Sequence, residues 1–190
     1  MTTYNNLKKY TNIASYDNWN KNTLNGSEFD YQPNKWKKTE NTHNCYAYVL
    51  NQYKDEKLNY PQMGEFGIKN FNRYYDEDRD FTCSAYEHRV LRDNPHAYKV
   101  KDGYPCKKGY FKSHFVVAPN KDFHWYRQDN NGFFSHKPGQ LYVRNYDSDN
   151  KKIIDPLFAN RSDYKKKNDM LDYSFMCNSF CVPKDNVFIQ

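Results

Sequence analysis

Cys45 and His124 are the two residues of this 190-residue chain whose types and placement could do covalent chemistry. Residues 42–53 predict a helix, with Thr42 or Asn44 as its cap and Ala47, Leu50, Tyr46 and Tyr53 as an apolar stripe. Cys45 falls in its first turn, where unpaired N–H groups and the helix dipole favour the thiolate, the reactive form of cysteine. An imidazole within reach lowers the thiol pKa further and takes up its proton. His124 sits mid-strand among aromatic residues and is the expected base and acid. His136, Asn145 or Asp147 would orient its ring, and the Cys45 N–H would help hold an oxyanion. Such a set cleaves or transfers an amide or ester bond, with a protein or peptide as substrate.

A helix and a sheet must position these groups. Residues 111–155 read as a β-meander, with strands at 111–118, 122–128, 133–137, 140–145 and 152–155. The connections Pro119-Asn120-Lys121, Asp129-Asn130-Asn131-Gly132, Pro138-Gly139 and Asp147-Ser148-Asp149-Asn150 carry turn chemistry. Two further helices are expected over about 67–79 and 82–93, the second ended by Pro95, and a last strand in the tail from 156 to 190. Residues 1–40 form a polar arm laid across a single domain at 41–190, with a turn at Tyr31-Gln32-Pro33-Asn34. The fold class is α+β, the Cys45 helix packed on an antiparallel sheet.

Strand parity ranks the histidines, because successive side chains alternate faces. A simple hairpin after Ala118 sets Val117 opposite His124 and His114 opposite Arg127. A two-residue Asn131-Gly132 turn sets His136 opposite Arg127 as well. On this register His124 stands apart from both other histidines, which conflicts with His136 as its partner.

Four more cysteines, at 83, 106, 177 and 181, bring the count to five, an odd number that fits buried free thiols in a reducing, cytoplasmic compartment. A Cys₄ zinc site from these four is conceivable, but it lacks tight Cys-x₂-Cys pairs and is not favoured. No metal or cofactor is expected, since phosphate-loop, dinucleotide and His-Glu-x-x-His motifs are missing. Asp76-Glu77-Asp78 and Asp147-Ser148-Asp149-Asn150 match calcium loops in composition only. Mean hydropathy is −1.18, yet 19 Tyr, 13 Phe and 3 Trp supply an aromatic core, so the chain is expected to fold. The net charge of +6 is interspersed, apart from Lys165-Lys166-Lys167, so nucleic-acid binding is open but not favoured. No apolar run reaches the roughly 18 residues of a membrane span, and the N-terminus lacks a signal-peptide core.

Asn44-Cys45-Tyr46-Ala47-Tyr48, the run Asp122-Phe123-His124-Trp125-Tyr126-Arg127-Gln128-Asp129, then Ser135-His136-Lys137-Pro138-Gly139 and Ile154-Asp155-Pro156 form one set. Together they resemble a largely uncharacterised family of bacteria and large DNA viruses, with related segments in molluscan shell-matrix proteins. In the order of Cys and His alone, the chain is similar to the NlpC/P60 and CHAP cysteine hydrolases. That likeness implies a papain-like arrangement, although Phe123 replaces their usual Gly or Ser and the interval from Cys45 to His124 is long. The expectation is therefore a papain-like cysteine hydrolase. The alternative is a non-catalytic structural or interaction protein, a virion or matrix component with protein partners, for which Tyr-rich surfaces are suited.

Overall fold

The computed structural model describes residues 22–53, 59–67, 82–162 and 171–187. The helix expected at 67–79, the acidic run at 76–78 and the basic run at 165–167 lie largely or wholly outside these residues.

Asn44 starts the first helix, α1 (Cys45–Val49), by accepting the N–H groups of Tyr46 and Ala47, each at 3.1 Å. The helix stops well short of residue 53. Asn51 adopts φ +56, Asn51 N–H bonds the Tyr48 carbonyl, and Gln52 N–H bonds the Ala47 carbonyl. This paired closure is the Schellman motif, with Asn in the left-handed position instead of Gly. The second helix, α2 (Cys83–Asp93), lies where 82–93 predicts it, capped by Thr82, whose side chain accepts the Ala85 N–H. A 3-10 helix (Pro33–Thr39) precedes α1 and seats Trp36 against Tyr48 and Tyr53.

Five strands form one antiparallel sheet: β1 (Tyr98–Val100), β2 (Tyr110–Ala118), β3 (Asp122–Gln128), β4 (Phe134–Ser135) and β5 (Phe175–Pro183). Their spatial order is β1-β5-β2-β3-β4, so the C-terminal strand is inserted beside β2. The strands expected at 140–145 and 152–155 are reduced to the bridges His136↔Arg144 and Tyr146↔Lys152. Asp147 organises the turn between them. Its carboxylate accepts the N–H groups of Asp149, Lys151 and Asn160 at 2.9–3.0 Å, a local alternative to a ladder.

One face of the sheet is covered by α1 and α2. Tyr46, Val49, Leu50, Tyr86 and Val90 pack there on Phe111, Phe115, Phe123, Trp125 and Phe180. The other face buries Val116, Tyr126, Phe134 and Ile153 beneath irregular chain, with Tyr173 and Met176 alongside. Residues 23–29 are tied across the strand ends. Asn25 Nδ2 donates to the Cys106 and Tyr110 carbonyls, Gln128 Nε2 to Thr23 Oγ1, and Asn130 N–H to the Phe29 carbonyl.

The cysteines correct the thiol expectation. Cys83 is bonded to Cys177 and Cys106 to Cys181, closing separations of 94 and 75 residues. Neither pairing is local, so Cys177-to-Cys181 spacing could not reveal them. In the chain-entropy limit, each loop of this size restricts the unfolded state by about 4–5 kcal/mol. Zinc is displaced by the same finding, since all four of its proposed ligands are oxidised.

Candidate functional site

Cys45 is 5% exposed and belongs to the aromatic core between α1 and β3. Burial is the main influence on its thiol and raises the pKa far above the usual cysteine range. Asp122 pushes the same way, while the Trp125 N–H and the Lys137 charge counter it only in part. A five-residue helix has little dipole to offer. Desolvation therefore wins, and Cys45 remains a protonated thiol at neutral pH.

The three strand histidines meet on one face, contrary to the parity expected from sequence. The observed register pairs Ala118 with Asp122 and Val116 with His124, which leaves His114 opposite Tyr126. The loop thus holds Pro119, Asn120 and Lys121, with Asn120 at φ +60. At the other hairpin Arg127 pairs with Ser135 and Gln128 with Phe134, while Asp129 N–H bonds the Phe133 carbonyl. That loop is Asn130, Asn131 and Gly132, with Gly132 at φ +87. Three-residue loops closed by a left-handed residue change the register by one relative to the expectation. A one-residue change moves every side chain to the opposite face.

His124 Nε2 consequently lies 2.7 Å from His136 Nδ1. His136 Nε2 lies 3.0 Å from the Tyr146 carbonyl and 3.3 Å from Arg144 Nε. A His136 Nε2–H donating to Tyr146 leaves its Nδ1 to accept from His124 Nε2–H, a consistent neutral pair. Burial first, then the positive neighbours, drive both imidazoles down, His136 to about 3 and His124 well below its ordinary value. His114, likewise lowered by burial, contacts Ser179 Oγ at 3.1 Å through Nδ1. The other proposed orienters are used elsewhere or stand apart. Asp147 organises its turn, and the buried Asn145 Oδ1 has no hydrogen-bond partner among the described residues.

His124 and His136 are therefore brought together. Cys45 packs with the Phe123 and Trp125 face, whereas His124 and Tyr126 point to the other side of β3. Among the described residues, no hydrogen bond or ion pair joins Cys45 to either imidazole.

Sequence reasoning missed the most elaborate buried network. Arg127 and Asp129 are 1% and 0% exposed. Arg127 Nε and Nη2 donate to Asp129 Oδ1 at 3.3 and 3.2 Å, and Nη1 donates to Asn51 Oδ1 at 3.0 Å. Its Nη2 also reaches the Tyr48 hydroxyl, which is bonded to Ser135, and its plane lies over the Tyr48 ring. A second anchor is Asp93, which accepts the N–H groups of Gly64, Phe66 and Gly67 and the Tyr46 hydroxyl. The available signal was a charged side chain at a core-facing strand position, which needs a buried partner.

No family model matches the chain, and no solved structure matches it. The chain is 32% identical over 137 residues to insoluble matrix shell protein 1 of Ruditapes philippinarum, covering 70% of this chain and 82% of that protein. The chain belongs to the family of this matrix shell protein. Two earlier expectations are corrected here. The hydrolase and protease assignment has no support, since the family relative is a matrix shell protein. The reducing, cytoplasmic compartment is overturned by two disulfides and by the shell-protein relative, which point to an oxidising, extracellular setting. No helix among the described residues is long and apolar enough to cross a membrane.

Proposed function

We propose that this protein is a non-catalytic, disulfide-stapled structural module of an extracellular matrix, assembling with other proteins through its surface. The carrying observation is the 32% identity to a matrix shell protein across 82% of that protein's length. The geometry supports the same reading. The candidate nucleophile is a buried thiol, the candidate base is a buried neutral imidazole, and neither has the access that turnover demands. The outer surface carries large apolar side chains, among them Tyr142 at 64%, Leu141 at 55% and Phe175 at 59% exposed, residues suited to contact with partners.

Sedimentation velocity of the oxidised protein over a wide concentration range, run beside native-state iodoacetamide labelling, tests the reading. The expected result is concentration-dependent association, with Cys45 unlabelled until the protein is unfolded. A protein that stays monomeric while Cys45 alkylates rapidly below pH about 7 would overturn it.

A further inference from the structure

Two disulfides hold β5, and their surroundings differ. Cys106–Cys181 is buried at both ends, at 4% and 0% exposure, while Cys83–Cys177 is only half-buried at each. Cys177 sits where the β2–β5 ladder breaks register. Ser179 pairs with His114 but Met176 pairs with Val116, so Cys177 and Asn178 share a bulge. On the other side, β1 pairs with β5 only from Ser179 to Cys181. The β5 edge at Cys177 is thus not covered by β1, and a cleft of about 360 Å³ opens there. Lys99, Lys101, Asp102, Asn178 and Cys177 line it, and Cys83 does not.

We propose that Cys83–Cys177 is a thiol–disulfide exchange site that takes the thiolate of a protein or peptide partner through this cleft. The incoming thiolate attacks Cys177 Sγ. A new S–S bond forms to Cys177, the Cys83–Cys177 bond breaks, and its electron pair leaves on Cys83, which then takes a proton from solvent. One disulfide is consumed and one is made, so no oxidant is needed. The regiochemistry follows from position. Attack on one sulfur of a disulfide expels the other, and Cys177 is the cysteine of the pair that lines the cleft. Cys83 is the first residue of the eleven-residue helix α2, where free N–H groups and the dipole stabilise a departing thiolate. A better-stabilised thiolate leaves faster. Exposed Lys101 draws an anionic nucleophile in; Lys99 is paired with Glu87, and Asp102 with Ser179. The product is a covalent link from β5 to the partner, with Cys106–Cys181 still holding the strand in place. This inference is independent of which proteins the molecule assembles with.

Oxidised protein incubated with reduced glutathione, quenched with iodoacetamide and mapped as non-reduced peptides tests it. The expected products carry glutathione on Cys177 and the alkyl group on Cys83. They should form at least about tenfold faster than any opening of Cys106–Cys181, at a rate proportional to glutathione thiolate. Equal opening of the two disulfides, glutathione on Cys83, or a rate that is independent of glutathione would each overturn the proposal.

Discussion

The two faces of the sheet are both buried, but they are filled by different chemistry. The helix-covered face is an aromatic core, and its charges, Arg127 with Asp129 and Asp93 with three backbone N–H groups, are compensated one by one. The opposite face buries three imidazoles, and the His124–His136 bond needs His136 Nδ1 unprotonated. Helices deliver apolar stripes, so one face could be built from large rings. Irregular chain delivers backbone carbonyls, such as that of Tyr146, and histidine side chains meet them. The first face should therefore respond to the removal of a partner, and the second to protons.

Four measurements break or sharpen this contrast. The largest effect is expected from Arg127→Ala, which strands the Asp129 carboxylate in the interior and should cost about 3–5 kcal/mol in denaturant unfolding. Adding Asp129→Ala should recover part of that loss; a fully additive double variant would show that the two charges are not coupled. Next comes Gly67→Ala, in the loop held by Asp93. A Cβ there would lie 2.2 Å from the Arg92 carbonyl oxygen, a backbone atom with little room to yield. A cost of about 1–3 kcal/mol is expected from the forced shift, and a neutral result would mean that the loop is not packed as described.

The opposite face is tested by pH. His136 is held at about 3 in the fold against an ordinary value of 6.5, so the unfolded chain binds the proton first. Its contribution to stability is complete above pH 6.5 and is lost as pH falls toward 3. The limiting slope is about 1.4 kcal/mol per pH unit. Asp155, raised by burial to about 6, acts in the opposite direction over part of this range, as do Asp93 and Asp129. The difference between the parent and His136→Gln isolates the histidine. The variant should show a shallower acid limb, and parallel limbs would remove the proton-sensitive reading of this face. The smallest effect is expected from Asn44→Ala, about 1 kcal/mol for two lost cap bonds. A much larger cost would show that its Nδ2 bond to the Pro61 carbonyl matters more than the cap.

Much of the architecture was legible from the chain. A cap at Thr42 or Asn44, the strands at 111–118 and 122–128 and the helix ended near Pro95 all rest on interactions between close neighbours. The C-terminal strand was legible too, although not its insertion between β1 and β2. The candidate site was less so. His124 and His136 were both named, but the register that unites them was read backwards. The strands expected at 140–145 and 152–155 are reduced to single bridges, and Asp147 between them accepts the N–H groups of Asp149, Lys151 and Asn160 in a local turn.

By itself, then, the sequence determined where the helix at 82–93 and the strands at 111–118 and 122–128 lie, because those preferences are local in energy. Three matters waited for the tertiary structure. Hairpin parity depended on whether Asn120 and Gly132 took left-handed backbone, since one residue more or less in a loop exchanges the faces of the sheet. Disulfide pairing depended on the folded path that brings together cysteines 94 and 75 residues apart. The state of Cys45 depended on burial. Desolvation by a core assembled from distant segments outweighs anything its own helix turn can offer, and it leaves a thiol where the local pattern promised a thiolate.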